Sequence, residues 1–210
     1  MCDLWEVELA YRHLKHQRLR FRGPRHARPP EMQRSTISSW VQKCPECGYC
    51  AREIDKAPAM AGGVVASPGY QNQLRSPDYP ELANAFVCFR IVSEGAGCLL
   101  DAAWASIHAA WACDDAAKVE AATECRNEAV RLIKALHEQG RFLAEQRGAD
   151  EAILADLLRR AGRFEEALDV VDRSMATTEP GLTRALLLYQ KGLISKGDAA
   201  VHRIEEAEAG

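Results

Sequence analysis

From Glu81 onward the chain keeps a helical period, and this constrains its fold more than any other feature. Leu82, Phe86, Phe89 and Ile91 begin a first stripe. Leu99, Leu100, Trp104, Ile107, His108 and Trp111 form a second, and Val119, Ala122, Ala129, Leu132, Ile133 and Leu136 a third. Apolar residues three and four apart share one face of a helix, so each stripe predicts a helix that buries that face. Ile153, Leu154, Leu157, Leu158 and Ala161 form a fourth stripe, with Asp150 placed to cap it. Phe164, Ala167, Leu168 and Val171 form a fifth, and Leu182–Ile194 a sixth, with Pro180 near its first turn. Gly140, Gly162 and Gly197 break the series, and a short last helix is expected around Val201 and Ile204.

The stripe pair about Gly162 resembles a tetratricopeptide repeat. Gly162-Arg163-Phe164-Glu165-Glu166-Ala167-Leu168 matches that repeat's turn and second helix, and Pro180 falls one position from its closing proline. Trp104 to Val130 reads as a more divergent pair. The predicted fold is therefore mainly α, built of tetratricopeptide-like antiparallel helical pairs over 81–210. A small zinc-ribbon-like Cys region precedes them.

That region centres on Cys44-Pro45-Glu46-Cys47-Gly48-Tyr49-Cys50. A spacing of two residues brings Cys44 and Cys47 to one side of a tight turn, and Cys50 is a third candidate ligand. Zinc takes four ligands in a tetrahedron, and thiolates suit it. The same spacing also serves redox dithiols, which normally sit between a strand and a helix. Gly48-Tyr49-Cys50 makes a poor helix start. Two free thiols in a loop is the third reading.

Composition narrows the class. With 47% hydrophobic but only 7% aromatic residues, the chain reads as an Ala/Leu-rich helical protein. Its net charge of −3 divides into +4 over residues 1–30 and −7 over the remainder. Arg18, Arg20, Arg22, Arg25 and Arg28 could meet phosphates, but no aromatic residues interleave with them. No signal peptide or membrane-spanning run is read, and eight cysteines without a secretory signal point to reduced thiols in a cytoplasm. Residues 57–80, rich in Pro, Gly, Ser and Ala, read as a linker between the Cys region (31–56) and the helices, with turns at Ser67-Pro68-Gly69 and Ser76-Pro77-Asp78.

Arg28-Pro29-Pro30-Glu31-Met32, Arg34-Ser35-Thr36 and Trp40-Val41-Gln42-Lys43-Cys44-Pro45-Glu46-Cys47-Gly48-Tyr49-Cys50 belong to one pattern. It continues through Tyr79-Pro80-Glu81-Leu82-Ala83-Asn84-Ala85-Phe86 and Ala109-Ala110-Trp111-Ala112-Cys113-Asp114-Asp115. Over roughly residues 28–207 the chain resembles a prokaryotic family of uncharacterised proteins. Members resemble an N-terminal Cys-x-x-Cys zinc-ribbon region followed by tetratricopeptide-like helices. The resemblance implies a metal-binding module on a helical scaffold and carries no activity. It also implies an earlier Cys-x-x-Cys-Gly and a Gly-Ser-x-Asp-Leu-Asp-Thr stretch before Arg28. Both are missing here, so the implied zinc site is incomplete.

The missing segments can be sought one base forward of the reading frame. There Met1-Cys2 must encode Cys, Trp5-Glu6 must encode Gly, and Leu19 to Ala27 permits Phe-Gly-Ser-x-Asp-Leu-Asp-Thr. Residues 1–30 are accordingly expected to be disordered, the first 27 as a translated frameshift, with the native protein beginning upstream.

The remaining candidates have plainer readings. His108, between Trp104 and Trp111, reads as a buried, hydrogen-bonded histidine rather than a ligand or a base. Asp114-Asp115 reads as a helix end or the cap of the next helix rather than a metal carboxylate pair, and Cys88, Cys98, Cys113 and Cys125 as small core residues. No Ser/His/Asp order, phosphate-binding loop or dinucleotide motif is present. The expected function is that of a non-enzymatic metal-binding, protein-interaction protein. Cys44, Cys47 and Cys50 would hold zinc structurally, and the helical pairs would present a groove to a protein or peptide. The alternatives are a zinc-ribbon protein associated with nucleic acid and a thiol redox protein using Cys44 and Cys47.

Overall fold

Small side chains set how closely these helices approach. The computed structural model describes residues 36–144, 146 and 148–202. The readings made of residues 1–35, including the basic arm, and of Ile204 lie outside them.

The described chain is mainly helical. A single 3-10 turn (Ile37–Ser39) leads into a hairpin of two short antiparallel strands, β1 (Gln42–Lys43) and β2 (Cys50–Ala51), with Gln42 opposite Ala51 and Lys43 opposite Cys50. Eight helices follow: α1 (Ala61–Val65), α2 (Pro68–Leu74), α3 (Glu81–Gly95), α4 (Leu99–Asp115), α5 (Val119–Glu138), α6 (Ala149–Arg160), α7 (Phe164–Met175) and α8 (Leu182–Ser195). Each helix from α3 to α5 packs on the next, as do α6, α7 and α8. No described helix is long and apolar enough to cross a membrane.

Helix α4 is the centre of this packing. It buries Ala102, Ala103, Ala105, Ala109, Ala110 and Ala112, so α3 and α5 both come close to its backbone. Two apolar cores result. The first joins the hairpin and α1–α3 to one side of α4 and α5 through Tyr70, Phe86, Val92 and Cys113. The second joins α4 and α5 to α6–α8 through Leu132, Ile133, Leu158, Val171 and Leu187. Trp111 packs against both.

Three hairpin turns of the array share one design. Residues 96–98, 116–118 and 161–163 link successive helices, and each holds one residue in the left-handed region: Gly97 (φ 75°), Ala117 (φ 55°) and Gly162 (φ 75°). The N–H after each returns to a carbonyl five residues back: Cys98 to Ser93 at 2.8 Å, Lys118 to Cys113 at 2.9 Å, Arg163 to Leu158 at 2.9 Å. This closes orphan carbonyls that a helix end would otherwise leave bare.

Polar groups tie the second half together. Arg159, fully buried, donates to Gln190 at 2.7 Å, to the carbonyls of Asp198 and Ala200, and to Asp156 at 2.8 Å. Asp114, at the end of α4, receives Arg126 and, at 2.8 Å, Arg160. Burial pushes its carboxyl up, but Arg160 and Arg126 together hold it below the usual carboxylate range.

Three expectations are corrected. Residues 57–80 carry α1 and α2 where a linker with turns is expected. Ser67 Oγ accepts the amide of Tyr70 at 3.3 Å and Pro68 opens the helix, so a serine and a proline read as turn residues are a cap and a first helical position. Asp150 does not cap α6, which begins at Ala149 after a left-handed Gly148. Instead it reaches back to the amides of Leu143 and Ala144, at 2.8 Å each, and lies 2.9 Å from His137. No helix contains Val201; Asp198 turns the chain there by accepting the Ala200 amide at 2.7 Å.

Candidate metal knuckle

The hairpin's turn is set by backbone geometry around one glycine. Cys44 donates its amide to Tyr49 at 2.8 Å and accepts the Gly48 amide at 2.9 Å. Gly48 has φ 77°, and a Cβ there would sit 2.4 Å from Leu74 Cδ2. Only glycine meets both conditions without strain. The tight reversal brings the backbone of Cys47 and Glu46, and the Cys47 thiol, beside the Cys44 thiol. These three, the Cys47 backbone first, hold the Cys44 thiol below its ordinary range. Cys44 is half-buried and Cys47 exposed.

Cys50 is not brought to this pair. It stands in β2 with no exposed surface, donates to the Gly48 carbonyl at 3.3 Å, and hydrogen-bonds the thiol of Cys88 on α3. That bond and burial push the Cys88 thiol up. Tyr70 of α2 locks the arrangement. Its hydroxyl donates to the Gly48 carbonyl at 2.9 Å and accepts the Cys50 amide at 3.0 Å. The hairpin thus separates its three thiols: Cys44 and Cys47 at the turn, Cys50 in the core. Among the described residues no group of three or more His, Cys, Asp or Glu side chains is placed to hold a metal.

A cleft of about 500 Å³ opens beside the turn, lined by Cys44, Cys47, Tyr49, Ile54, Ala61 and Val65 among others. Sequence reasoning missed it because two of its walls come from α1 and its approach. The pair Cys44/Cys47 fits half of a zinc tetrahedron in donor type.

The other candidates fall elsewhere. His108 is buried in an aromatic box, its ring centroid 5.0 Å from Trp40, 5.3 Å from Phe86, 5.8 Å from Trp104 and 5.2 Å from Trp111. Burial, and then the charge of Arg52, push its pKa down to about 3. Cys113 and Cys125 hydrogen-bond each other across α4 and α5 in the first core. Compared with models of known protein families, with curated proteins and with solved structures, the chain finds no match.

Proposed function

We propose that this chain is a non-enzymatic metal-binding and protein-interaction protein. In this reading Cys44 and Cys47 bind zinc as a structural knuckle, and tetratricopeptide-like helical pairs scaffold a protein or peptide partner. The observation that carries the metal reading is the hairpin turn, closed by the Cys44 amide on the Tyr49 carbonyl and the Gly48 amide on the Cys44 carbonyl, which sets Cys44 and Cys47 together at one cleft. Two thiols held at one side of a tight turn are the donor type and spacing that zinc takes. The turn's place between two antiparallel strands, rather than between a strand and a helix, favours a knuckle over a redox dithiol. The helical hairpins at residues 96–98, 116–118 and 161–163 support the scaffold.

Metal analysis tests this. The purified chain should bind added zinc weakly, because two thiolates fill half a tetrahedron, and Cys44→Ser should lose that binding. Reversible formation of a Cys44–Cys47 disulfide in a chain that never binds zinc would instead favour the thiol redox reading.

A further inference from the structure

The knuckle offers two thiolates, and a closed zinc site needs four ligands. Cys50, three residues from Cys47, is withdrawn into the core by Cys88 and by Tyr70 on the neighbouring carbonyl and amide. Among the described residues no third metal-competent side chain joins the pair. Cys47 is exposed, and the cleft beside it is open and walled mostly by apolar residues such as Ile54, Ala61 and Val65. A tetrahedron of four equal ligands has two-fold axes that exchange its ligands in pairs. A homodimer with a two-fold axis through the metal can therefore present the same half-site twice.

We propose that zinc joins two copies of this chain, Cys44 and Cys47 of each forming one four-thiolate site, with the apolar clefts brought together around it. This rests on the reading of Cys44/Cys47 as a metal knuckle and supplies the missing ligands from a second copy. The chemistry is coordination without redox change. Four thiols release four protons, zinc stays divalent, and the site carries a net charge of −2. The half-buried Ile54 and the exposed Ala57 and Ala66 at the cleft then bury against their counterparts, which favours pairing beyond the metal bonds.

The test uses the full chain, stripped of metal and kept reduced by a phosphine. Zinc, and cobalt as a coloured probe, are titrated while mass is followed by light scattering. The proposal expects saturation at one metal per two chains, a doubling of mass, and the cobalt spectrum of a four-sulfur site. Excess chelator should return the protein to monomer without loss of helical signal, a check that needs no variant. Cys44→Ser and Cys47→Ser should each prevent pairing, while Cys98→Ser should pair normally. A monomer binding one metal per chain overturns the bridging but leaves the knuckle reading intact. A chain that binds no metal overturns both.

Discussion

Ala117→Gly should stabilise this protein. Five helix ends, those of α3, α4, α5, α6 and α8, close with the same hydrogen bond from the third residue past the helix to a carbonyl five residues back. Four of them place glycine at the left-handed position: Gly97, Gly140, Gly162 and Gly197. The fifth places Ala117 there, the only non-glycine residue with positive φ among the described residues. A Cβ in that conformation costs about 1–2 kcal/mol, because it crowds the following carbonyl. Glycine gives back about 0.4–1 kcal/mol through the greater freedom of its unfolded chain. The difference leaves a net gain centred near about 0.8 kcal/mol. The Ala117 methyl is exposed, so its loss removes no core packing. The converse change checks the same arithmetic. A Cβ at Gly162 meets nothing within 4 Å, so Gly162→Ala carries the strain less the same unfolded-chain term and should cost a similar net amount. For a chain of this size each kcal/mol moves Tm by about 2–4 °C. Calorimetry should therefore show Ala117→Gly melting about 2 °C higher and Gly162→Ala about 2 °C lower. A lower Tm for Ala117→Gly would refute the reasoning, since it would mean that residue 117 is not held in the strained conformation.

Other expected outcomes follow from buried polar groups. Tyr70→Phe leaves the Gly48 carbonyl and the Cys50 amide without its hydroxyl, and should cost about 2 kcal/mol in urea unfolding. His108, with its pKa down to about 3 in the fold against about 6.5 unfolded, stays neutral while the unfolded chain takes up a proton. Stability is thus full above about pH 6.5 and falls toward pH 3 by up to about 1.4 kcal/mol per unit; His108→Leu should flatten that limb of a pH-dependent melt. The depressed Asp114 carboxyl acts in the same direction lower down, its contribution lost as acid protonates it. Arg159→Met should cost about 3 kcal/mol and release the segment after α8, read as faster amide exchange there, because two of its bonds hold the carbonyls of Asp198 and Ala200.

How much of this was legible depends on what carried the signal. The long helices α3 to α8 showed themselves by period, because each buries a face wide enough to repeat through several turns. Glycine marked the ends after α5, α6 and α8. The end after α4 was marked only by Asp114-Asp115, since the left-handed residue there is alanine. Helices α1 and α2, of five and seven residues, are too short to show a period. Their signals were local: Ser67-Pro68 at the start of α2, and Tyr70 with Leu74 four residues later on the same face. Asp150 was misplaced because a cap and a carboxylate reaching back to an earlier loop look alike in sequence. His108 was placed in the interior by its two tryptophans, but Trp40 and Phe86, the other walls of its box, come from distant parts of the chain.

The Cys region shows the same division within seven residues. Spacing alone makes Cys44, Cys47 and Cys50 equal candidates for a metal, but spacing does not say where a strand begins. Once β2 starts at Cys50, that side chain must leave the turn for one face of the hairpin, and the face it takes is the one packed on α3. There it meets Cys88, with Tyr70 bonded to its own amide. Two roles that look identical in sequence therefore separate under substitution. Cys50→Ala removes a buried sulfur from a closed site, and should cost about 1–2 kcal/mol of stability as a small cavity. It should leave metal stoichiometry unchanged. Cys47→Ala removes an exposed sulfur, and should leave the stability of the metal-free chain within about 0.5 kcal/mol while abolishing metal binding. Urea unfolding of the stripped proteins and metal analysis of the loaded ones read the two effects separately. If Cys50→Ala lost its metal at unchanged stability, Cys50 would have to swing out of the core to serve the site. The bonds from Tyr70 to Gly48 and Cys50 would then be incidental to how the knuckle is held.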